Sequence, residues 1–598
     1  MTGYTLGDLF QQQIILEKAK EGIMRIAKAS NTIQAAMIVG LPFTHEGNIY
    51  NVAALVSRGS VLGLVPKTYI PGYKEFYEER WFASSRDIIN KEADLQGLKV
   101  PIGADILFKD KNRPEIVLGV EICEDLWGPL PPSSFQTLAG ANIIANLSAS
   151  NELVGKSDYR RELVAQQSAR SICAYIYSSC GVHESTTDVV FSGHCIIAED
   201  GVILTESKRF QMDGEIIINE IDVEHLQLNR ERTTSFGDGS HALPRPDWRI
   251  IEMSLPDISL AKMYRYFDSR PFIPKDNAER DKRVEEIFSI QTHGLVKRLN
   301  HANIKNVLLG LSGGLDSTLA LLVAVKSCEI LKLPYKNIRA FTMPGFGTTL
   351  RTKSNAVKLA ETLGVNIDTI DITEGSLQQF KDIGHVATSQ DVTYQNVQAR
   401  YRTMILMNKA NQLKGLVLGT GDLSEIALGW NTFTGDQISH YNVNAGVPKT
   451  LVKYLVEWVS NQESFAKAKK VLIDILQTPI SPELVKTDKN KISQKTEDII
   501  GPYELHDFFL YHFVRWGSAP TKILFLAQLA LSKKYTREII KKWLRVFIER
   551  FFGNQWKRSV MPDGPKVGSV ALSPRGDWRM PSDAEVSLWL KNLNQNEK

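Results

Sequence analysis

Two periods of apolar residues alternate along this chain. Short runs of β-branched and aliphatic residues, Ala35–Val39, Val52–Val56, Ile116–Val120, Ile143–Leu147, Tyr175–Ser179 and Cys195–Ala198, read as strands. Stretches near Asp8–Ala29 and Arg160–Ala174 carry the longer helical period. Together they predict an α/β layered domain over residues 1–235. Between about Glu231 and Arg280 the periodicity fails, and Gly, Pro, Asp and Ser accumulate in FGDGSHALPRPDW and DSRPFIPKDNAERD. Residues 236–280 are therefore expected to link two domains. An amphipathic helix over Arg280–Leu299 leads into a second pattern over 281–598.

In that second half, Asn306–Leu331 reads NVLLGL, then SGGLDS, then TLALLVAVKSCEIL. The apolar run is short enough for a buried strand, the Gly-Gly pair marks a tight loop, and a helix follows directly. A strand over Ile338–Met343 ends in PGFGTT, DVTYQNVQARYRTMILMNKAN reads as a helix, and GLVLGTGDLSEIALGW repeats strand, Gly-rich turn and helix. Strand, loop, helix and strand form a right-handed parallel unit, with a ligand expected at the strands' C-terminal edge.

The length of 598 residues exceeds what one core can serve, in keeping with two large domains. With 43% hydrophobic and 23% charged residues and no apolar run of membrane-spanning length, no membrane partner is expected. Thr2–Asp8 is short and polar, without the basic start of a signal peptide. Five cysteines without CxxC pairing point to reduced thiols in a cytoplasm and to no zinc site. A net charge of +4 does not call for an extended nucleic-acid surface, and none is expected.

The SGGLDS loop has the composition of a phosphate cradle. Gly313 and Gly314 let backbone approach an anion, and the following helix directs free N–H groups at it. Ser312 and Ser317 add hydroxyls, while Asp316 adds a carboxylate suited to Mg²⁺. The loop lacks the lysine of a Walker A motif, so a kinase-like grip on terminal phosphates is not what it offers. Glu425 follows Thr420 by five residues, so a hydroxyl and a helix-borne carboxylate can flank one nucleotide, with Glu425 and Asp316 converging on one cation. In the first half, Cys123 ends an apolar strand, where Lys67 nearby would favour its thiolate and steady a developing oxyanion. Most such cysteines and lysines are structural, and residue chemistry alone favours that reading for this pair. Strand alternation places Glu124 on the opposite face from Cys123 and Glu121 on the same face, set back along the strand.

These motifs carry a family resemblance. SGGLDS is the pattern of the N-type ATP pyrophosphatases, which attack ATP at the α-phosphate and hold the departing pyrophosphate. VPKxYxPxYxEFYE, GVEICEDLW, NLSASNELVGKSDYR and HESTTDVVFSGH resemble the glutaminase domain of glutamine-dependent NAD synthetases, a nitrilase-superfamily αββα sandwich. QNVQAR, LVLGTGDLSEIALGW and HYNVNAGVPKT resemble the synthetase domain of the same family, a Rossmann-like parallel-sheet ATP pyrophosphatase. The resemblance implies that Cys123 is the nucleophile and Lys67 its oxyanion partner, with Tyr73, Ser150 and Lys156 at the glutamine site. It assigns ATP to Gly310, Leu311, Ser312, Gly313, Gly314, Leu315, Asp316, Ser317 and Thr420. Nicotinic acid adenine dinucleotide (deamido-NAD) falls to Asn396, Glu425, Trp430, Asn431, Thr432, Phe433 and, in the C-terminal segment, Lys557. Mg²⁺ falls to Asp316 and Glu425, and no redox cofactor is implied.

The family's third catalytic residue is a glutamate whose pattern position lies about three residues before Met1, along with the sandwich's first strand and helix. On that pattern the chain is expected to use ammonia more readily than glutamine. A homo-octamer passing ammonia between active sites is also implied. A tRNA-thiolating or other ATP-dependent amidating enzyme is the nearest alternative, and it would require a reactive cysteine or a basic RNA face in the second half. A non-catalytic nucleotide-binding subunit is the alternative from another class, and AMP production separates it.

Overall fold

The computed structural model describes residues 1–242, 247–257, 263–347, 350–478 and 496–595. The chain divides into two compact units, Met1–Tyr266 and Phe267–Lys598.

In the first unit, β1 (Met37–His45), β2 (Asn48–Ser57) and β3 (Ser60–Pro66) form an antiparallel sheet. A separate hairpin pairs β4 (Glu92–Leu95) with β5 (Leu98–Pro101). The main sheet comprises β6 (Ile106–Asp110), β7 (Val117–Ile122), β8 (Ile143–Ser148), β9 (Ala174–Ser179), β10 (Ile196–Glu199), β11 (Val202–Glu206) and β12 (Arg249–Met253). Its order is β11-β10-β9-β8-β7-β6-β12. Helices are α1 (Gln13–Ala29), α2 (Pro132–Leu138), α3 (Lys156–Arg170), α4 (Val223–Arg232) and α5 (Thr234–Ala242).

The layers follow from which faces are apolar. Ala53, Leu55 and Val65 of the small sheet pack on Ile106, Phe108, Val120 and Ile122 of the large one. Ala19, Ile23 and Ala27 of α1 cover the other side of the small sheet against Leu41, Phe43 and Tyr50. Val164 of α3 covers the large sheet against Ile144, Tyr175 and Ile196. Helix, sheet, sheet and helix make the expected αββα sandwich.

Several strands of this unit lie where the sequence pattern does not announce them, β3 and β12 among them. β3 holds Gly63, and a Cβ there would meet the Phe108 ring at 3.0 Å, so close sheet packing excludes a side chain at that position. β12 falls inside the stretch read as a linker, yet it pairs in parallel with β6 from Arg249↔Ile106 to Met253↔Asp110. Residues 236–280 thus hold most of α5, an edge strand of the first unit and the start of α6; residues 243–246 and 258–262 of that stretch lie outside the described set.

The second unit centres on a parallel sheet of order β15-β14-β13-β16-β17. Its strands are β13 (Asn306–Gly310), β14 (Ile338–Thr342), β15 (Asn366–Thr369), β16 (Gly415–Gly419) and β17 (Tyr441–Asn442). Helices flanking or following the sheet are α6 (Asn277–His301), α7 (Leu315–Ile330), α8 (Leu350–Thr362), α9 (Thr373–Asp382), α10 (Val392–Leu413), α11 (Leu423–Leu428), α12 (Lys449–Ser460) and α13 (Lys469–Leu476). A C-terminal group follows: α14 (Thr496–Ile500), α15 (Tyr503–Leu510), α16 (Pro520–Leu531), α17 (Arg537–Gly553), α18 (Gln555–Arg558) and α19 (Ser587–Asn594). β13 runs into the SGGLDS loop and then α7, whose side chains are buried nearly all round, as a central helix requires. This is the expected Rossmann-like arrangement. Thr348 and Thr349 of PGFGTT lie outside the described residues.

Candidate active sites

In the first unit β7 ends at Ile122, and Cys123 turns the chain out of the strand with φ +48, a left-handed conformation that a cysteine adopts only at a cost. Its amide donates to Asn146 Oδ1 at 3.0 Å. Asp125, two residues on, accepts from Ile122 N at 2.9 Å and from Thr68 and Tyr69 N at 3.0 and 2.8 Å. One buried carboxylate therefore ties the turn carrying Cys123 to the segment carrying Lys67.

Lys67 is 1% exposed, and its ammonium donates to both oxygens of Glu78 at 2.7 and 2.8 Å. Burial opposes its charge, but Glu78 and the thiol of Cys123 outweigh that and hold its pKa above the ordinary lysine value. Burial pushes the Cys123 thiol up, Lys67 pulls it down and Glu78 pushes it up again, leaving it above the usual thiol range. Glu78 also accepts from Tyr4 Oη at 2.9 Å. This buried carboxylate lies within the EFYEER words of the sequence but is not distinguished there from its neighbours.

The alternation rule fails at Cys123 because the left-handed turn ends the strand's period. Glu121 instead points into the buried layer beside α2, accepting from Ser133 N at 2.8 Å and from Tyr175 Oη. Glu124 accepts from Tyr73 Oη at 2.6 Å, so it shares the neighbourhood of a predicted glutamine-site residue.

The other predicted residues gather around Cys123. A thiolate at Cys123 would raise the pKa of both Tyr73 and Lys156, and the backbone amide of Ala149, next to Ser150, would favour that thiolate. Lys156 donates to Asn151 Oδ1 and lies over the rings of Phe76 and Trp127, each at 5.4 Å. Buried Arg160 braces this loop, donating to Ser150 Oγ at 3.1 Å and Glu152 at 2.8 Å.

In the second unit Gly313 takes φ +87, which lets the loop curl so that Ser312 Oγ accepts from Gly314 N at 3.1 Å. Ser312 and Ser317 hydroxyls meet at 3.0 Å. Asp316, in the first turn of α7, turns toward Lys449, which neither spacing nor resemblance singled out. The Lys449 ammonium lies 2.8 Å from Asp316, 2.6 Å from Asp422 and 2.9 Å from Glu425. Burial disfavours its charge, but the three carboxylates hold its pKa well above the ordinary lysine value. Burial and mutual repulsion raise Asp422 and Glu425 as well, above the usual carboxyl range, against the pull of Lys449.

Each of these carboxylates presents an oxygen within 4.8 Å of the others, and Asp316 Oδ1 is buried with no hydrogen-bond partner among the described residues. That hard oxygen set fits a divalent cation, with Asp422 added to the predicted pair. Asn444 Nδ2 donates to Asp316 O at 2.9 Å and Thr420 O at 3.0 Å, joining the loop to the predicted ATP-contacting threonine.

Apart from Glu425, which lies in α11 within the carboxylate cluster, the residues expected around deamido-NAD form a second group. Thr432 Oγ1 donates to Asn396 at 2.9 Å, the Phe433 ring meets Trp556 at 4.7 Å, and Arg550 lies over Trp430 at 5.2 Å. The Lys557 ammonium donates to the backbone oxygens of Gly429 and Asn431, 2.8 Å each, so in this structure it fastens the loop that carries Asn431.

An amide-cleaving fold and an ATP-cleaving fold in one chain are the makings of an amidating ligase. The carbon-nitrogen hydrolase family matches residues 2–231 and the NAD synthase family residues 287–547. A glutamine-dependent NAD(+) synthetase from Mycobacterium leprae is 41% identical over all of this chain and 91% of its own length. One from Mycobacterium tuberculosis (strain H37Rv) is 40% identical over the same shares, and one from Aquifex aeolicus is 27% identical over 97% of this chain and 91% of its own. The chain belongs to the glutamine-dependent NAD(+) synthetase family.

Proposed function

We propose that this chain amidates deamido-NAD to NAD, driven by cleavage of ATP to AMP and pyrophosphate, with ammonia drawn from glutamine or taken up free. The observation that carries the reading is the Walker-free loop opening α7 with Asp316 turned onto Lys449, Asp422 and Glu425. In the first unit Cys123 adds to the glutamine amide carbonyl; the developing oxyanion lies beside Lys67, ammonia leaves, and water releases glutamate from the thioester. Tyr73, Ser150 and Lys156 bind the amino-acid end.

In the second unit a nicotinate carboxylate oxygen attacks the α-phosphorus of ATP and pyrophosphate departs. Gly310 through Ser317 and Thr420 hold the nucleotide, while the free amides of α7 and Lys449 face the departing charge. Asp316, Asp422 and Glu425 would hold Mg²⁺, which neutralises polyphosphate charge when bound. Ammonia then adds to the acyl adenylate and expels AMP. Asn396, Glu425, Trp430 to Phe433 and Lys557 keep the dinucleotide in place. Against a tRNA-thiolating role, Cys328, the second half's one cysteine, is fully buried in α7, and burial pushes its pKa to about 11.

We place the reaction in a cytoplasm and in a homo-oligomer. The first rests on five free thiols and on the absence, among the described residues, of a helix long and apolar enough to cross a membrane. The second, with eight copies as its expected size, rests on family resemblance alone. The test supplies ATP, Mg²⁺, deamido-NAD and either ammonium or glutamine carrying ¹⁵N in its amide. NAD, AMP and pyrophosphate should appear in equal amounts, with the label in the nicotinamide group. ADP and phosphate instead would overturn the mechanism.

A further inference from the structure

Helix α12 begins at Lys449 behind Pro448, whose side chain cannot cap it. The first amides of a helix lack partners within it, and here they find them outside. Lys449 N donates to Ser424 Oγ at 2.8 Å, and Thr450 N donates to Asp507 Oδ2 at 3.0 Å. Asp507, on α15 and 2% exposed, accepts from Thr450 Oγ1 at 2.7 Å with the same oxygen and from Ser424 Oγ with the other. Ser424 immediately precedes Glu425, and Thr450 immediately follows Lys449. A single carboxylate therefore latches the first turn of α11 to the first turn of α12, at the residues adjoining two members of the carboxylate–ammonium cluster.

Apolar neighbours make this an expensive place for a charge. Leu505, Phe508 and Phe509 around it on α15 belong to the apolar core. An aliphatic side chain would fill such a position at less cost in desolvation if packing were all that it supplied. Its oxygens serve three donors at the positive end of α12, where an anion is favoured.

We propose that Asp507 is a positioning residue for the ATP half-reaction, setting Lys449 and Glu425 relative to each other without touching nucleotide or metal. The inference rests on the function proposed above. Lys449 reaches its three carboxylates at 2.6–2.9 Å, so a small slip of α12 against α11 withdraws the ammonium from the polyphosphate site.

The test measures ammonium-dependent kinetics of the full chain. Asp507→Asn keeps the shape but cannot accept from all three donors; kcat should fall about 10²-fold, the cost of an ångström-scale misplacement. KM for ATP should rise several-fold and by more than KM for deamido-NAD, to which Glu425 is only one of several contacts, a split that loss of active protein would not produce. Thr450→Val should move both in the same direction by less, and the double variant should lose less than the product of the two single losses, because the groups act as one latch. Should Asp507→Asn fail to fold, Thr450→Val carries the test alone. An unmoved KM for ATP in folded variants, or fully multiplicative losses, would overturn the proposal. A parent protein that forms no NAD from ammonium would instead overturn the functional reading. Calorimetric ATP binding across the same variants would then decide the latch: weaker binding supports it and equal binding overturns it.

Discussion

Lys67 and Lys449 are both buried ammonium groups, but among the described residues Lys67 bonds one carboxylate and Lys449 bonds three. The pair in the first unit is neutral, so a negative charge arising beside it, thiolate or oxyanion, meets a cation already compensated by Glu78. The cluster in the second unit carries an excess of negative charge when its carboxylates are ionised. An incoming polyphosphate is repelled unless a divalent cation arrives with it. On the proposed function, the count of carboxylates separates a site for a transient charge on a neutral substrate from one for a permanently charged substrate and its metal.

The largest effect that would break this comparison is Lys449→Met. It leaves three carboxylates without their cation, and we expect synthesis from ammonium and from glutamine alike to fall by at least about 10²–10³-fold. Stability should drop by about 3–5 kcal/mol, measured by urea unfolding. Lys67→Met should lower glutamine-dependent synthesis by about 10²–10³-fold and leave ammonium-dependent synthesis unchanged. Equal loss with both nitrogen donors would show that the two lysines do not serve separate reactions. Asp422→Asn sharpens the metal side of the comparison: the native carboxylate caps α11 by receiving Glu425 N at 2.9 Å, and an amide oxygen can keep that cap while the charge is lost. The Mg²⁺ concentration for half-maximal synthesis should rise, whereas Glu78→Gln should leave it unmoved.

The smallest effect concerns a buried base that bonds no carboxylate among the described residues. His506 is 1% exposed, donates through Nε2 to Ile500 O at 2.7 Å, and burial lowers its pKa to about 4. The folded chain keeps it neutral where the unfolded chain protonates it. Its contribution is therefore full above about pH 6.5 and declines as pH falls toward 4, by about 3 kcal/mol across that window. His506→Gln should flatten this part of the pH dependence of the unfolding midpoint.

What the sequence revealed was local, and what it hid was distant. The strand, SGGLDS and α7 were legible because apolar period, Gly-Gly turn and helix stand in one continuous stretch. Cys123 and Lys67 gained meaning only from the words around them, since a lone cysteine after a strand carries little information. Lys449 escaped because its partners Asp316 and Glu425 lie 133 and 24 residues away. Asp507 escaped for the same reason, its contacts standing 83 and 57 residues off. Glu121 was placed on the same face as Cys123, set back along the strand, by a period that a single left-handed residue interrupts. β12 was lost among the prolines and glycines on either side of it.

The parallel pairing of β12 with β6 has a practical meaning for anyone who wishes to take the protein apart. A fragment ended at residue 235, where the periodicity first fails, would lack β12 and expose the backbone edge of β6 together with Phe108 and Ile106. Such a piece would be recovered as aggregate, and its failure could be mistaken for a dependence on the second unit. A fragment carried through Tyr266 keeps that edge paired and also retains the bonds of Arg265 to Glu199, giving an independent glutaminase module a fair trial.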